Sequence, residues 1–410
     1  MAAGADTTLR PITGDASKGR TPDFYSYPPR PIAGAAIDDD FVQIHWADGT
    51  ELRAYSLWLW ENRMAGAAID ERTREGTLDP ADLPDSRVLQ RVEVSAGELE
   101  VEWVGAPPSR FDSGWLHHVA EGRHRVDAGL PDAEQWTVAS LPEPPTVAGP
   151  PVLHDDDALV EWLVLLCRFG LARLEGLPLD DETVPALGRR LGALRDTNFG
   201  LTWPVSVDVA PTSTANTPLP LPPHTDLPTR ETPPGHQILH CQVNTCRGGL
   251  STMADGYAVA EHLRRHEPEH HEALTTLRWT FFNRSPHHDH RWSGPILDGG
   301  GEGQPLTLRA FHPVRAFPDM EDADVPRAYA ALRRFSEVAG APPFQMRFAF
   351  RPGDLVAFDN RRILHGRTAI DAAGGTRVLH GTYIDHDEIY SRLRVLARRR
   401  GETTEGNPRP

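Results

Sequence analysis

The sequence predicts a mainly β protein with flanking helices, a small β-rich N-terminal domain preceding a larger antiparallel double sheet. Three observations carry this reading. Short strand-like runs are separated by Gly and Pro turns with few helical patterns between them, a repeat is confined to the N-terminal part, and a proline-dense stretch divides the two parts.

Residues 1–34 are rich in Gly, Pro, Thr and Asp without periodicity, and residues 401–410 are polar, so both are expected to behave as tails. Residues 35–138 form the expected small domain. Within it HWADGTELRAYSLWL, from His45, aligns without a gap to EWVGAPPSRFDSGWL, from Glu102, pairing Trp46 with Trp103, Arg53 with Arg110, Ser56 with Ser113 and Trp58-Leu59 with Trp115-Leu116. Each copy begins with alternation (Val42, Ile44, Trp46; Leu99, Val101, Trp103), turns at Asp48-Gly49 or Gly105-Ala106-Pro107, and ends in a Ser-capped helix start. Two related hairpin units with core tryptophans follow. The run LPEPPTVAGPP, Leu141 to Pro151, denies the backbone both helix and ladder hydrogen bonds and marks residues 139–152 as a linker.

Residues 153–400 make the second domain. Asp155 to Asp157 cap an apolar helix through Cys167, Gly170 ends it, Leu171 to Leu177 reads as a strand, and a helix follows Asp180-Asp181. Further strands are expected at Gln237 to Val243, Phe344 to Phe350, Leu355 to Phe358 and Val378 to Ile384, with helices near Asp255 to Arg265 and Ala323 to Val338.

Composition narrows the function. The 410 residues carry 42 basic and 58 acidic side chains, a net charge of -16, which repels nucleic acid and anionic lipid. Lys18 is the sole lysine, which removes Schiff-base and P-loop lysine chemistry. Cys167, Cys241 and Cys246 are too few and odd in number for a disulfide framework, none sits in a CxxC pair, and the longest apolar run, Leu159 to Cys167, is interrupted by Glu161. A cytoplasmic protein acting on a small molecule, with no nucleic-acid or membrane partner, is expected.

Chemistry is sought in His-X-Asp plus a distant His, because two imidazoles and one carboxylate on one face of a metal leave the opposite positions open, as non-haem Fe(II) oxygenases require. His154-Asp155-Asp156 sits where a helix wants an Asp cap, and His287-His288-Asp289-His290 lies in a polar stretch with no strand pattern, a rival metal site. His224-Thr225-Asp226 follows Pro222-Pro223, ahead of the strand Gln237-Ile-Leu-His-Cys. In PGDLVAFDNRRILHGR an apolar strand leads to His365, and Arg377 opens the strand VLHGTYI, where a buried guanidinium needs an anion. His224, Asp226, His365 and Arg377 in this order are the candidate constellation.

HTDLPTRETPPGHQILHCQVNTCRGGLSTMADG, with PGDLVAFDNRRILHGRTA and RVLHGTYIDHDEIYSRLRVL, resembles the γ-butyrobetaine hydroxylase and trimethyllysine hydroxylase family of Fe(II)- and 2-oxoglutarate-dependent dioxygenases, related to taurine dioxygenase. The resemblance covers about residues 35 to 398, including the repeat-bearing part. It implies a double-stranded β-helix (jelly-roll) core in residues 153–400, with Fe(II) on His224, Asp226 and His365. It implies that Arg377 and Ser251 bind the distal carboxylate of 2-oxoglutarate, and that an unactivated C–H bond is hydroxylated with release of succinate and CO2. It also implies a homodimer.

Two departures stand out. Where family members often carry a zinc-binding Cys-X-Cys-X-X-Cys cluster this chain reads LWLWENRMAGAAID, so no zinc is expected. In the betaine enzymes several aromatic rings enclose a trimethylammonium group; here Phe199 and Trp203 remain, while Ser213, Asn216 and Leu227 replace Tyr or Asn. The expected substrate is a small polar metabolite: an amine, amino acid, betaine or phosphonate-like compound. Arg230 and His236 near the ligand motif would favour an anionic group. Desaturation or rearrangement at the same iron, or a non-catalytic ligand-binding role, are the alternatives.

Overall fold

The computed structural model describes residues 10–11, 21–64, 68–86, 88–95, 97–206, 214–300, 306–310, 315–371 and 374–400. The chain divides into two compact units, Met1–Leu130 with Arg394–Pro410, and Pro131–Leu393.

The first unit is built on the internal repeat. The strands Ile32–Asp38, Phe41–Trp46 and Glu51–Tyr55 form one antiparallel meander, and Leu89–Ser95, Glu98–Trp103 and Ala106–Asp112 form a second. Each copy thus has three strands, one more than a hairpin, followed by a helix, Ser56–Glu61 or Ser113–Ala120. The alternation buries Val42, Ile44 and Trp46 in one copy and Leu99, Val101 and Trp103 in the other. Trp58 stacks on Trp115 with ring centroids 5.3 Å apart, and Trp60 meets Trp103 edge-on at 5.2 Å. The helix caps differ from the sequence expectation. Ser56 and Ser113 are already helical, and in the second copy the Asp112 carboxylate accepts the Trp115 N–H at 2.8 Å.

In the second unit, Asp155 caps helix Asp156–Phe169 through the N–H groups of Asp157 and Ala158, and Gly170 ends it at φ 72°, a left-handed conformation natural to glycine. Two sheets follow. The seven-stranded sheet runs in the order Leu194–Arg195, Arg377–Ile384, His236–Asn244, Leu355–Asp359, Leu171–Glu175, Thr146–Ala148, with Thr202–Ser206 also paired to Arg377–Ile384. The four-stranded sheet runs Leu221–His224, Ile363–Arg367, Ser251–Asp255, Met346–Phe348. All pairings in these sheets are antiparallel except Thr146–Ala148 with Leu171–Glu175. Cys241, Val356, Phe358 and Leu379 of the larger sheet join Met253, Met346, Phe348 and Ile363 of the smaller in one core, the two-sheet packing of a jelly roll.

Three sequence expectations shift here, the first being the tail at 1–34: Tyr25–Ser26 is a strand, and Ile32–Asp38 begins inside it with Ile32 buried in the first unit's core. The proline-rich stretch 139–152 is not the break between the compact units, which falls at Leu130/Pro131. Trp136 is buried and donates its indole N–H to the Phe169 carbonyl at 2.8 Å, and Thr146–Ala148 pairs as a strand at the sheet's edge, the position where neighbouring prolines cost no ladder bond. The histidine-rich segment at 287–290 is not a plain loop either. His288–Gly294 is a strand paired with Arg278–Ser285, which in turn pairs with Arg315–Asp319. Cross-strand pairing holds it, including Phe281 opposite Trp292.

Candidate active site

The short strand Leu221–His224 lies antiparallel to Ile363–Arg367 and sets His224 opposite His365, their ring centroids 4.2 Å apart. Asp226 falls in the turn immediately after, where Leu227 takes the positive φ of 51° and is held there by burial at 4% exposure. That turn swings the carboxylate back between the rings: Asp226 Oδ1 is 3.5 Å from His224 Nε2, and Oδ2 is 3.6 Å from His365 Nε2. One ligand atom from each of the three lies within 4.8 Å of the others.

The surroundings orient these atoms. His224 Nδ1 faces the Pro222 carbonyl at 2.9 Å, so Nδ1 carries the proton and the Nε2 lone pair is left for a metal. Asn360, fully buried, accepts the Asp226 N–H at 2.7 Å and donates to the Asp226 carbonyl at 2.9 Å, locking the turn from both sides. The Tyr383 hydroxyl donates to Asp226 Oδ2 at 2.7 Å. Burial pushes the Asp226 carboxyl up, but the His365 and His224 imidazoles and the Tyr383 hydroxyl outweigh it and hold it well below the ordinary carboxylate range. Burial, reinforced by His224, pushes the His365 imidazole down to about 3. A neutral imidazole beside an ionised carboxylate is the protonation state of metal ligands, and the donor set fits a 2-His-1-carboxylate Fe(II) centre.

An anion seat adjoins it in the fold. Arg377, 7% exposed, points Nη2 at the Ser251 hydroxyl at 3.4 Å, while its Nε is buried without a hydrogen-bond partner. Among the described residues no carboxylate forms an ion pair with it. Arg367 is also buried, and burial together with the charge of Arg377 pushes its guanidinium down to about 10. Arg367 donates to the carbonyls of Thr217 and Leu219 at 2.7 and 3.0 Å, tying down the chain that follows Asn216. Two buried like charges with an unused donor are a cost that one carboxylate would relieve for both.

The expected substrate residues divide. Phe199 and Trp203 pack with ring centroids 5.8 Å apart. Trp203 continues onto Tyr383 at 4.5 Å, a third ring that the sequence reading missed. Strand alternation was the available signal, since Arg377, Leu379, Gly381 and Tyr383 share one face. Gly381 makes the contact possible, because a Cβ there would sit 2.8 Å from the Trp203 indole. Asn216 spends its amide N–H on the Ser206 carbonyl at 3.0 Å, and Leu227 is buried beside Asp226. Ser213 lies outside the described residues. Arg230 donates to Asn198 Oδ1 at 3.1 Å. His236 does not join the iron-type cluster; at 1% exposure it groups with Asp359 and His386, and burial pushes its imidazole down to about 3. Asn360, also missed, stands directly after the strand Leu355–Asp359.

The other two His-X-Asp motifs lead elsewhere. The Asp155 carboxylate is spent on its helix cap. His288 and His290 stack at 5.0 Å on one hairpin but join no three-ligand cluster among the described residues.

The family model "Taurine catabolism dioxygenase TauD, TfdA family" matches residues 137–383. The gamma-butyrobetaine dioxygenase of Pseudomonas sp. (strain AK-1) is 38% identical over 375 residues, 90% of this chain and 97% of that protein. The gamma-butyrobetaine dioxygenase of Homo sapiens is 28% identical over 374 residues, 87% of this chain and 95% of that one. The mitochondrial trimethyllysine dioxygenase of Homo sapiens is 26% identical over 368 residues, 87% and 86%.

Proposed function

The chain belongs to the taurine catabolism dioxygenase TauD, TfdA family, and from that premise we propose that it hydroxylates a small cationic ammonium metabolite of the γ-butyrobetaine class. It is an Fe(II)- and 2-oxoglutarate-dependent dioxygenase acting on a small polar substrate. When bound, the iron and 2-oxoglutarate supply the oxidising power that opens an unactivated C–H bond, with succinate and CO2 released.

The residues divide the remaining work. His224, Asp226 and His365 hold the iron, and Asn360 with the Pro222 carbonyl fixes their aim. Arg377, supported by Ser251, takes the distal carboxylate of 2-oxoglutarate and so sets that molecule's position toward the metal. Phe199 and Trp203 present the aromatic faces, and the buried Tyr383, packed on Trp203 and bonded to Asp226, anchors that pair beside the reacting centre. Each ring face offered to an ammonium group contributes ~0.5–2 kcal/mol. Leu227, Asn216 and Ser213 stand where the family resemblance implies Tyr or Asn.

The observation that carries the substrate reading is the Phe199–Trp203 ring pair, tied through the buried Tyr383 to Asp226 of the iron-ligand set. The 38% identical relative named for γ-butyrobetaine supports the same class. The test compares γ-butyrobetaine with 4-aminobutyrate, its unmethylated counterpart, as stimulants of succinate formation. Preference for the methylated compound is expected, and preference for the primary amine overturns the ammonium reading.

The first unit is proposed to be zinc-free, since all three cysteines lie in the second. A cytoplasmic location is proposed with it, supported by three cysteines that form no disulfide framework, and a homodimer on the strength of the family resemblance. Light scattering tests the dimer.

A further inference from the structure

A second convergence of two imidazoles and a carboxylate adjoins the first. His236 opens the strand His236–Asn244, and its register partner on the neighbouring strand is Asp359. On its other side His236 pairs with Ile384, and the chain then turns into the helix His386–Arg400, whose first residue is His386. Three elements therefore deliver side chains to one point, with one ligand atom of each within 4.8 Å of the others. His386 Nε2 lies 3.0 Å from Asp359 Oδ1, and the His236 and His386 ring centroids are 4.7 Å apart.

Hydrogen bonding within the protein does not complete this cluster. Asp359 Oδ1 accepts the Arg361 N–H at 2.8 Å besides facing His386, yet His236 Nδ1, in a residue 1% exposed, is buried without a hydrogen-bond partner among the described residues. A buried ring nitrogen of this kind wants a ligand. The Arg361 side chain does not supply one, because its Nε and Nη2 both donate to the Pro233 carbonyl.

We propose that His236, Asp359 and His386 form a second metal site, for a borderline divalent ion of the Zn2+ type. Two imidazoles and a carboxylate with water in the fourth position make an ordinary tetrahedral shell for that ion. The site is of a different kind from the cysteine cluster whose absence the N-terminal sequence indicates, and it lies in the other unit. Its position suggests a structural duty. Asp359 is followed directly by Asn360, which holds both backbone groups of Asp226, so an ion here would anchor the brace of the iron-ligand turn.

The test uses the full chain carrying His224→Ala and Asp226→Ala, which removes the iron site from the count. After chelation, the protein is equilibrated with Zn2+, passed through gel filtration and assayed for metal per chain, with the melting temperature read in parallel. One Zn2+ per chain and a melting temperature raised by a few degrees, on the order expected when a ligand binds only the folded state, support the proposal. Both should vanish on adding His386→Gln, chosen because His386 is the most exposed of the three, and survive His288→Ala with His290→Ala. Zinc-edge X-ray absorption of the parent variant, which needs no further substitution, should show an imidazole-and-oxygen shell. No retained zinc, zinc unaffected by His386→Gln in a folded protein, zinc lost with the hairpin histidines, or a sulfur-containing shell would each overturn the proposal.

Discussion

Replacing Arg377 by Met removes a charge while keeping most of the volume, at a position where the structure makes the charge expensive to hold. Arg377 is 7% exposed, and among the described residues its Nε has no hydrogen-bond partner while its Nη2 reaches the Ser251 hydroxyl at 3.4 Å. A hydrogen bond to a charged group contributes ~1.5–3 kcal/mol, and each 1.4 kcal/mol is about tenfold in affinity. The apparent 2-oxoglutarate constant should therefore rise by about 10- to 150-fold. Arg367 pulls the expectation toward the lower end, because it stays behind as a second buried cation and no longer faces its like-charged neighbour. The assay is succinate formation against 2-oxoglutarate concentration, repeated with 2-oxopentanoate, which has the same chain without the distal carboxylate. Wild type should discriminate strongly between the two and the variant weakly. An unchanged 2-oxoglutarate constant in a folded variant would refute the assignment and shift it to Arg367.

Other expectations follow from particular contacts. Asn360→Ala strips both hydrogen bonds from the Asp226 backbone and should weaken iron binding by about 10- to 100-fold, as loss of a ligand's support does, measured by metal retention on dialysis. Gly381→Ala drives a methyl into the Trp203 indole at 2.8 Å and should raise the substrate constant while leaving that for 2-oxoglutarate alone; equal effects on both would detach Trp203 from substrate binding. Asp255→Ala removes the hydrogen-bonded carboxylate 2.9 Å from the buried Arg362 and should destabilise the second unit by ~3–5 kcal/mol, read from denaturant unfolding. In the first unit burial pushes His118 from 6.5 to about 4, so the folded state resists its protonation: the stability is intact above pH 6.5 and falls as pH drops toward 4. His118→Gln should flatten that part of the pH profile, and an unaltered profile would assign the acid loss elsewhere.

The candidate constellation was legible because each part is local in the chain: His-Thr-Asp in one turn, and His365 and Arg377 on strands marked by apolar runs. What escaped was what depends on pairing across the fold. Asn360 looks like a loop residue until the structure sets it against the Asp226 backbone, and Tyr383 looks like core until its hydroxyl meets Asp226 Oδ2. The same limit explains the histidine-rich hairpin, whose polar sequence shows no strand pattern and is held by its partner Arg278–Ser285. Prolines misled in the opposite direction. They read as a linker at 139–152, yet Thr146–Ala148 fits between them at a sheet edge, where one flank needs no ladder donor. In the first unit the repeat revealed the Trp core but understated each copy by a strand, because Ile32–Asp38 and Leu89–Ser95 lie upstream of the aligned residues.

The central claim, an iron and 2-oxoglutarate dioxygenase that seats an ammonium substrate against Phe199 and Trp203, is tested most directly by product stoichiometry. Protein reconstituted with Fe(II) is given 2-oxoglutarate, oxygen and γ-butyrobetaine, and succinate and hydroxylated product are counted together. The account predicts equal amounts of the two, abolished by His224→Ala. Succinate released at the same rate with and without γ-butyrobetaine, and no hydroxylated product, would contradict it.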